Sequence, residues 1–244
     1  GDSIKLYKSA AQPVAPAKNP PTGLKFVRET KMHNYCFSVC HHKGYTYVAL
    51  SGGTVHRIDN QGEVEKVYTS IIKNDLDSFA AHKDRLFLLE SAQGSTKVLV
   101  LGINDCKLLT SWTVPYYGKY GHQMSIIKNA QLAVGDWNGK QIIVYSLTGD
   151  VIRRVPLPDC LALKSTVCMS SCGDDSVVIS DRDAGKVVRI SLEDESLVWS
   201  SDSITEPYGV AYHPAGYILV SSGHRDHVVI SVLDAADGIV SYLW

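Results

Sequence analysis

The 244-residue chain carries 24 Lys plus Arg against 25 Asp plus Glu, a net charge of −1, and 45% hydrophobic residues. This is ordinary globular composition. It excludes collagen, coiled coil and wholesale disorder, and it removes the simplest argument for a nucleic-acid protein, a basic excess. No apolar run approaches the roughly 18–20 residues of a membrane span, and the first residues lack the charged-then-apolar order of a secretory signal.

In chain order, a short strand over Ser3–Lys8 is followed by a Pro/Ala-rich connector through Pro21 and a second strand over Leu24–Thr30. Residues 1–22 read as an N-terminal strand and linker, and residues 23–244 as the main domain. From there one rhythm recurs five times: a strand, a polar turn, a strand ending in small residues, a loop, a Val/Ile-rich strand, a turn and a last strand. The second strands are Tyr45–Ser51, Arg85–Ser91, Gln131–Asp136, Ser176–Asp181 and Tyr217–Ser222, starting about 40 to 46 residues apart. The third strands are Thr54–Ile58, Lys97–Leu101, Gln141–Tyr145, Lys186–Ile190 and His227–Ser231, each rich in β-branched residues. Turn-formers separate third from fourth strands, as in Asp59–Gly62, Thr148–Asp150 and Asp234–Gly238, and the last strand runs from Ile239 to Trp244.

No segment shows a capped helical period, so the chain is predicted to be all-β. One four-stranded sheet cannot bury both apolar faces, whereas such sheets stacked about an axis bury them against each other. The pattern therefore predicts a β-propeller of four-stranded antiparallel blades with five complete repeats, the alternative being six blades with an incomplete N-terminal blade. Leu24–Thr30 stands where a fourth strand stands, directly before an inner strand. It is expected to close the ring by pairing with the last sheet or to belong to a reduced sixth blade.

Of the six cysteines, Cys36 with Cys40 and Cys168 with Cys172 fall in strand-like runs. Strand positions i and i+4 lie roughly 13 Å apart, too far for a disulfide. Even with His41 and His42 nearby, the spacings do not make a paired zinc motif. They read as packing thiols, and with no N-glycosylation sequon the chain is expected to be cytoplasmic.

The run Glu206–Ala211 followed by Gly216–Ser221, and the run Val144–Ile152, resemble NHL repeats, which form the C-terminal propeller of tripartite-motif (TRIM-NHL) proteins. The resemblance covers about residues 24–244 and is plainest in the third and fifth repeats. WD40 repeats are disfavoured because no Gly-His with Trp-Asp pair recurs.

In an up-and-down blade the loop between strands two and three emerges on the same face as the junction between blades. That face collects Tyr35, Tyr116, Tyr117, Lys119, Tyr120, His122 and Tyr208 from the junctions, with Trp137, Lys140, Arg182, His224 and Arg225 from the loops within blades. Aromatic and Arg side chains of this kind dominate recognition surfaces, so these residues are the candidate partner-binding site. The opposite face, with His41–Gly44, His82–Asp84, Asp174 and Asp175, reads as small, polar and acidic.

Inner-strand starts near Cys36, Asp77, His122, Thr166 and Tyr208 supply one Asp and one His, not the paired carboxylates or oxygen ligands of propeller hydrolases. There is no catalytic motif, and the sequence implies no enzyme, cofactor, metal, membrane contact or small-molecule substrate. The TRIM-NHL resemblance implies a non-catalytic module that binds a protein partner or ubiquitination substrate. The alternative is RNA, stacked on Tyr and contacted by Lys and Arg, against which stand Asp136, Asp181, Asp183 and Asp226 in the same loops. A lectin is a distant third reading.

Overall fold

In the computed structural model, residues 3–9, 24–32, 34–70, 76–92, 94–115, 123–158, 161, 166–223 and 229–243 are described. Two strands, β1 (Ser3–Ser9) and β2 (Leu24–Lys31), form a sheet of their own. Blade 1 is β3 (Cys36–His42), β4 (Tyr45–Leu50), β5 (Thr54–Ile58) and β6 (Val64–Thr69). Blade 2 is β7 (Leu76–His82), β8 (Arg85–Ala92), β9 (Ser95–Gly102) and β10 (Leu108–Val114). Blade 3 is β11 (Met124–Ile127), β12 (Gln131–Asp136), β13 (Gln141–Tyr145) and β14 (Val151–Pro156). Blade 4 is β15 (Thr166–Ser171), β16 (Ser176–Asp181), β17 (Lys186–Ser191) and β18 (Ser196–Ser201). Blade 5 is β19 (Pro207–His213), β20 (Tyr217–Ser222), β21 (Val229–Asp234) and β22 (Val240–Leu243).

Each blade is an antiparallel meander in chain order, and the five stand in a ring as a β-propeller. Among the described residues, the only helical element is a 3₁₀ turn at Lys128–Ala130. The five four-stranded repeats read from sequence are the five blades observed, while His227, Val228 and Trp244 of the expected strands lie outside the described residues.

In blades 2 to 4 the second and third strands are buried on both faces because each of these blades lies between two others. Tyr47, Ala49 and Val55 of blade 1 pack on Leu86, Leu88 and Leu101 of blade 2. Phe87, Leu89 and Val98 of blade 2 pack on Leu132, Val134 and Ile143 of blade 3. The pattern continues with Ala133, Ile142 and Val144 on Val177, Ile179 and Ile190, and with Val178 and Val187 on Ile218, Val220 and Leu233. Each such side chain contributes about 1.5–3 kcal/mol on burial, which explains why these strands are continuous apolar runs while the outer strands are largely exposed.

The expected closure by β2 is not what forms. The fifth sheet contains β19–β22 alone, and β2 pairs antiparallel with β1 from Ser3↔Lys31 to Ser9↔Leu24. The sequence-adjacent strand offers the nearer edge. Beyond β2, Met32 packs on Val48, Leu50 and Ile58, the face of blade 1 turned away from blade 2.

Outer strands also clasp the following blade. Trp199 of β18 donates its indole N–H to the Ala235 carbonyl at 2.9 Å and lies flat against Gly238. A Cβ at Gly238, where φ is +74°, would stand 2.6 Å from the indole. Trp112 of β10 sits on Gly149 in the same way. Gly238→Ala is expected to lower stability by about 1–3 kcal/mol, from left-handed backbone strain together with the ring it displaces. Urea unfolding measures this, and an unchanged midpoint would contradict the packing described.

Candidate functional site

At the junction of blades 4 and 5 the β16–β17 loop meets the start of β19. Ser180, buried on β16, donates its hydroxyl to the Tyr208 carbonyl at 2.6 Å, which fixes the backbone under the Tyr208 ring. The Arg182 guanidinium carbon stands 5.1 Å from the centre of that ring, and its Nη1 is 3.4 Å from the Tyr208 hydroxyl. Glu206 comes to 3.6 Å from Arg182 Nη2. Tyr208 remains 46% exposed. A cation held over an aromatic ring, with a carboxylate beside it, is a preorganised surface anchor with both apolar area and directed donors.

The loop-grouping rule is met at other blades. Ser51 donates its amide to the Tyr35 carbonyl, Gly135 donates to Gln123, and Ser91 bonds Asp77 at 2.5 Å. Loops within blades and junctions between blades thus share one end of the molecule. Tyr35 is at that end and is 73% exposed. Lys140 is exposed at the β12–β13 turn with φ +50°. Trp137 is half-buried, packed on the apolar contact between blades 3 and 4 and lying over Gly135. Tyr116, Tyr117, Lys119, Tyr120, His122, His224 and Arg225 lie outside the described residues, as does the Asp77–His122 relation.

Two of the acids expected to project from this face do not. Asp136 and Asp181 are buried at the ends of β12 and β16. Asp136 accepts from the Gly139 amide at 2.6 Å and from Gln141 Nε2 at 2.5 Å, and Asp181 accepts from the Ala184 amide at 3.0 Å. They hold the turns closed, satisfying amides that a tight loop leaves unpaired. Glu90 occupies the same strand position in blade 2 and accepts from the Ser70 hydroxyl. Spacing alone made Asp136 and Asp181 look like loop charges. It also missed Ser180 and Glu206, whose signal was their proximity to Arg182 and Tyr208 across two blades.

The opposite face is not simply acidic. Arg153 of blade 3 bonds both oxygens of Asp175 in blade 4 at 2.8 and 2.6 Å, and Arg189 reaches Asp174 at 2.5 Å. Lys43 and Asp84 pair at 2.5 Å between blades 1 and 2, which holds the Asp84 carboxyl below its ordinary range. His82 stands beside His42 and Lys83, and its Nε2 is buried without a partner. Burial, then these neighbours, lower its pKa. The thiols are shielded as well: burial pushes Cys40 up to about 12 and raises Cys168, so neither offers a thiolate for metal or nucleophilic chemistry near neutral pH.

No protein-family model matches the chain, and no curated protein matches it. The fold defines it as a β-propeller. A protein of unknown function from Bacteroides caccae is similar with TM-score 0.68 and 13% identity, over 89% of this chain and 85% of that one. Virginiamycin B lyase from Staphylococcus aureus is similar with TM-score 0.62 and 12% identity, over 80% of this chain and 66% of the lyase. A chain of the mitotic checkpoint complex gives TM-score 0.62 and 12% identity, over 91% of this chain and 68% of that one. The chain therefore spans about two thirds of the lyase and checkpoint chains, and at these identities the likeness is one of fold.

Asp181→Ala should cost about 1–3 kcal/mol by orphaning a turn amide, whereas Tyr208→Ala should stay within about 1 kcal/mol of wild type. Equal losses in chemical denaturation would contradict the division into turn-closing and exposed residues. His82 has a lowered folded pKa, so the unfolded chain binds the extra proton first as pH falls. Its contribution to stability is full above pH about 6.5 and is lost as pH drops through the folded value, and His82→Gln should flatten that slope in denaturation midpoints measured from pH about 7.5 to about 5.

Proposed function

We propose that the chain is a non-catalytic, NHL-like recognition module of a TRIM-type cytoplasmic protein, binding a protein partner or ubiquitination substrate through its loop face. The observation that carries this reading is the Arg182–Tyr208–Glu206 cluster, in which an exposed ring and a fixed guanidinium are aimed outward from two adjoining blades. Rigid aromatic and Arg anchors give large contact area for little lost rotamer freedom. Tyr35 and Lys140 extend the face, with Tyr116, Tyr117, Lys119, Tyr120, His122, Trp137, His224 and Arg225 assigned to it by repeat position. Support at the level of fold analogy comes from the similar chain of the mitotic checkpoint complex, a protein assembly.

RNA is the second reading, and one observation favours it: burial of Asp136 and Asp181 removes two of the four acids that opposed a phosphate backbone. Glu206 and exposed Asp183 remain beside Arg182 and keep protein ahead.

Changing Arg182 and Tyr208 together to Ala is expected to leave the melting temperature near wild type and to remove the partner captured by the wild-type chain. A retained partner would overturn the assignment of this face. Under the RNA reading, retention of a random single-stranded pool falls steeply with salt and is abolished by Tyr120→Ala or Arg225→Glu. No retention at low salt eliminates that reading.

A further inference from the structure

The turns that join first to second strands surround the axis at the end opposite the loop face, and their charge is uneven. In and beside these turns, blades 1, 2 and 3 carry Lys43, then Lys83, Asp84 and Arg85, then Lys128. Blade 4 carries Asp174 and Asp175, already satisfied by Arg189 and Arg153. The turn of blade 5 has no charged residue, and His213 beside it accepts from the Ala215 amide at 3.2 Å and stacks on Tyr217 at 5.1 Å. Unmatched positive charge therefore gathers under blades 1 to 3.

The junction of blades 1 and 2 already seats a carboxylate, one of the chain's own. Lys43 Nζ stands 2.5 Å from Asp84 across the junction, and His42 donates its Nε2–H to the Lys83 carbonyl at 2.9 Å. Both turns use a left-handed lysine, Lys43 at φ +50° and Lys83 at φ +51°, so two turns of matching shape lie side by side. Asp84 is taken by Lys43. Lys83, Arg85 and Lys128 are exposed and form no ion pair among the described residues. His82 lies beside Lys83 with its Nε2 buried and unpartnered, and the charged groups acting on its ring, Lys83 and His42, are both basic.

Farther from the axis, the turns before the outer strands of the same three blades carry Asp59 and Glu63, Asp105, and Asp150. Asp105 is held by Lys107 at 3.7 Å, while Glu63 and Asp150 are exposed with no ion pair among the described residues. The positive spot is thus bounded by acids. A long polyanion such as nucleic acid or an anionic bilayer would cross that rim and be repelled by it, whereas a short acidic loop meets the spot alone. The exposed ring at its edge, Tyr45, already has the Arg57 guanidinium carbon 4.8 Å from its centre, on a face that a base would need for stacking. Arg57 is in turn paired with Glu65 at 2.7 Å.

We propose that the surface between the His42–Lys43 and His82–Arg85 turns is a docking site for a short Asp/Glu-rich loop of a partner protein, with Lys83 and Arg85 as the groups that meet its carboxylates. The site lies at the opposite end of the molecule from Arg182 and Tyr208 and does not depend on them. Carboxylates seated there favour the protonated form of His82, whose pKa in the free chain is lowered by burial and then by Lys83 and His42. Docking therefore takes up a proton, and it tightens as pH falls from about 7.5 to about 5.5, a range in which the partner's Asp and Glu stay ionised.

The probe is a labelled, cyclised peptide presenting an Asp-Glu-Asp turn, with an Asn-Gln-Asn peptide of the same ring as control, titrated into the 244-residue chain at low salt and followed by fluorescence anisotropy. The acidic peptide is expected to bind saturably and the control to bind at least about tenfold more weakly. Lys83→Gln together with Arg85→Gln, both at exposed positions, should weaken binding by about tenfold or more with the melting temperature unchanged. Wild type should gain affinity between pH about 7.5 and about 5.5, and His82→Gln should lose that gain while keeping the affinity found at the higher pH. Arg182→Ala should leave this binding intact, which separates the result from the fate of the loop-face reading. Four results overturn the proposal: no difference between acidic and amide peptides, binding unchanged by the Lys83 and Arg85 substitutions, affinity independent of pH in wild type, or tighter binding of oligo(dT) or of phosphatidylserine vesicles than of the acidic peptide, which would make a nucleic acid or a membrane the occupant.

Discussion

The contact between one blade's forward face and the next blade's rear face is the interaction on which the rest of this molecule depends. A meander of four strands has two apolar faces and no means of covering either. Placing Tyr47 and Ala49 on Leu86 and Leu88, then Phe87 and Leu89 on Leu132 and Val134, lets one strand serve two interfaces through the alternation of its side chains. This is why β8 and β16 are buried along nearly their whole length, and why a polar residue within them requires a partner. Ser180 and Asp181 are such residues, and their partners are a junction carbonyl and a turn amide. The same constraint that builds the core therefore sets the backbone of the candidate site.

Much of the fold was legible because propeller repeats write themselves in period and turn chemistry. The five second strands, the β-branched third strands and the turns at Asp59–Gly62 and Asp234–Gly238 stand where periodicity put them. The pairing of β2 was not legible, since strand edges carry no sequence mark of which neighbour they take. Asp136 and Asp181 were misplaced for a related reason: an acid at a strand end looks the same whether it enters solvent or turns back onto its own loop. Arg182 and Tyr208 were both singled out, but their contact, with Glu206 as third member, depends on the angle between two blades and cannot be read from spacing.

The outer strands add a second layer of connection. Trp199 reaches Ala235, and Arg153 reaches the Leu192 carbonyl at 2.9 Å as well as Asp175. These carbonyls lie at corresponding places after the third strands of blades 5 and 4. An indole N–H and a guanidinium thus do one job in successive repeats, donating to a turn carbonyl of the next blade. Such substitution is expected where repeats need a donor of a given reach rather than a given residue, and it explains how the repeats drift in sequence while keeping their geometry.

Stability in a repeat architecture is a sum over units and nearest-neighbour interfaces, so a unit covered on one side opens more easily than one covered on both. Blades 2, 3 and 4 have a full apolar interface on each face, whereas blade 5 is held by Val178, Val187 and Trp199 of blade 4 and leaves Leu219 and Ile230 half-exposed. Tyr208 lies on β19 of that same blade, and Arg182 follows β16 of the firmly held blade 4. The anchor is consequently assembled across the apolar interface between blades 4 and 5, so the packing of Val178 and Val187 on Ile218 and Val220 sets where the Tyr208 ring stands relative to Arg182.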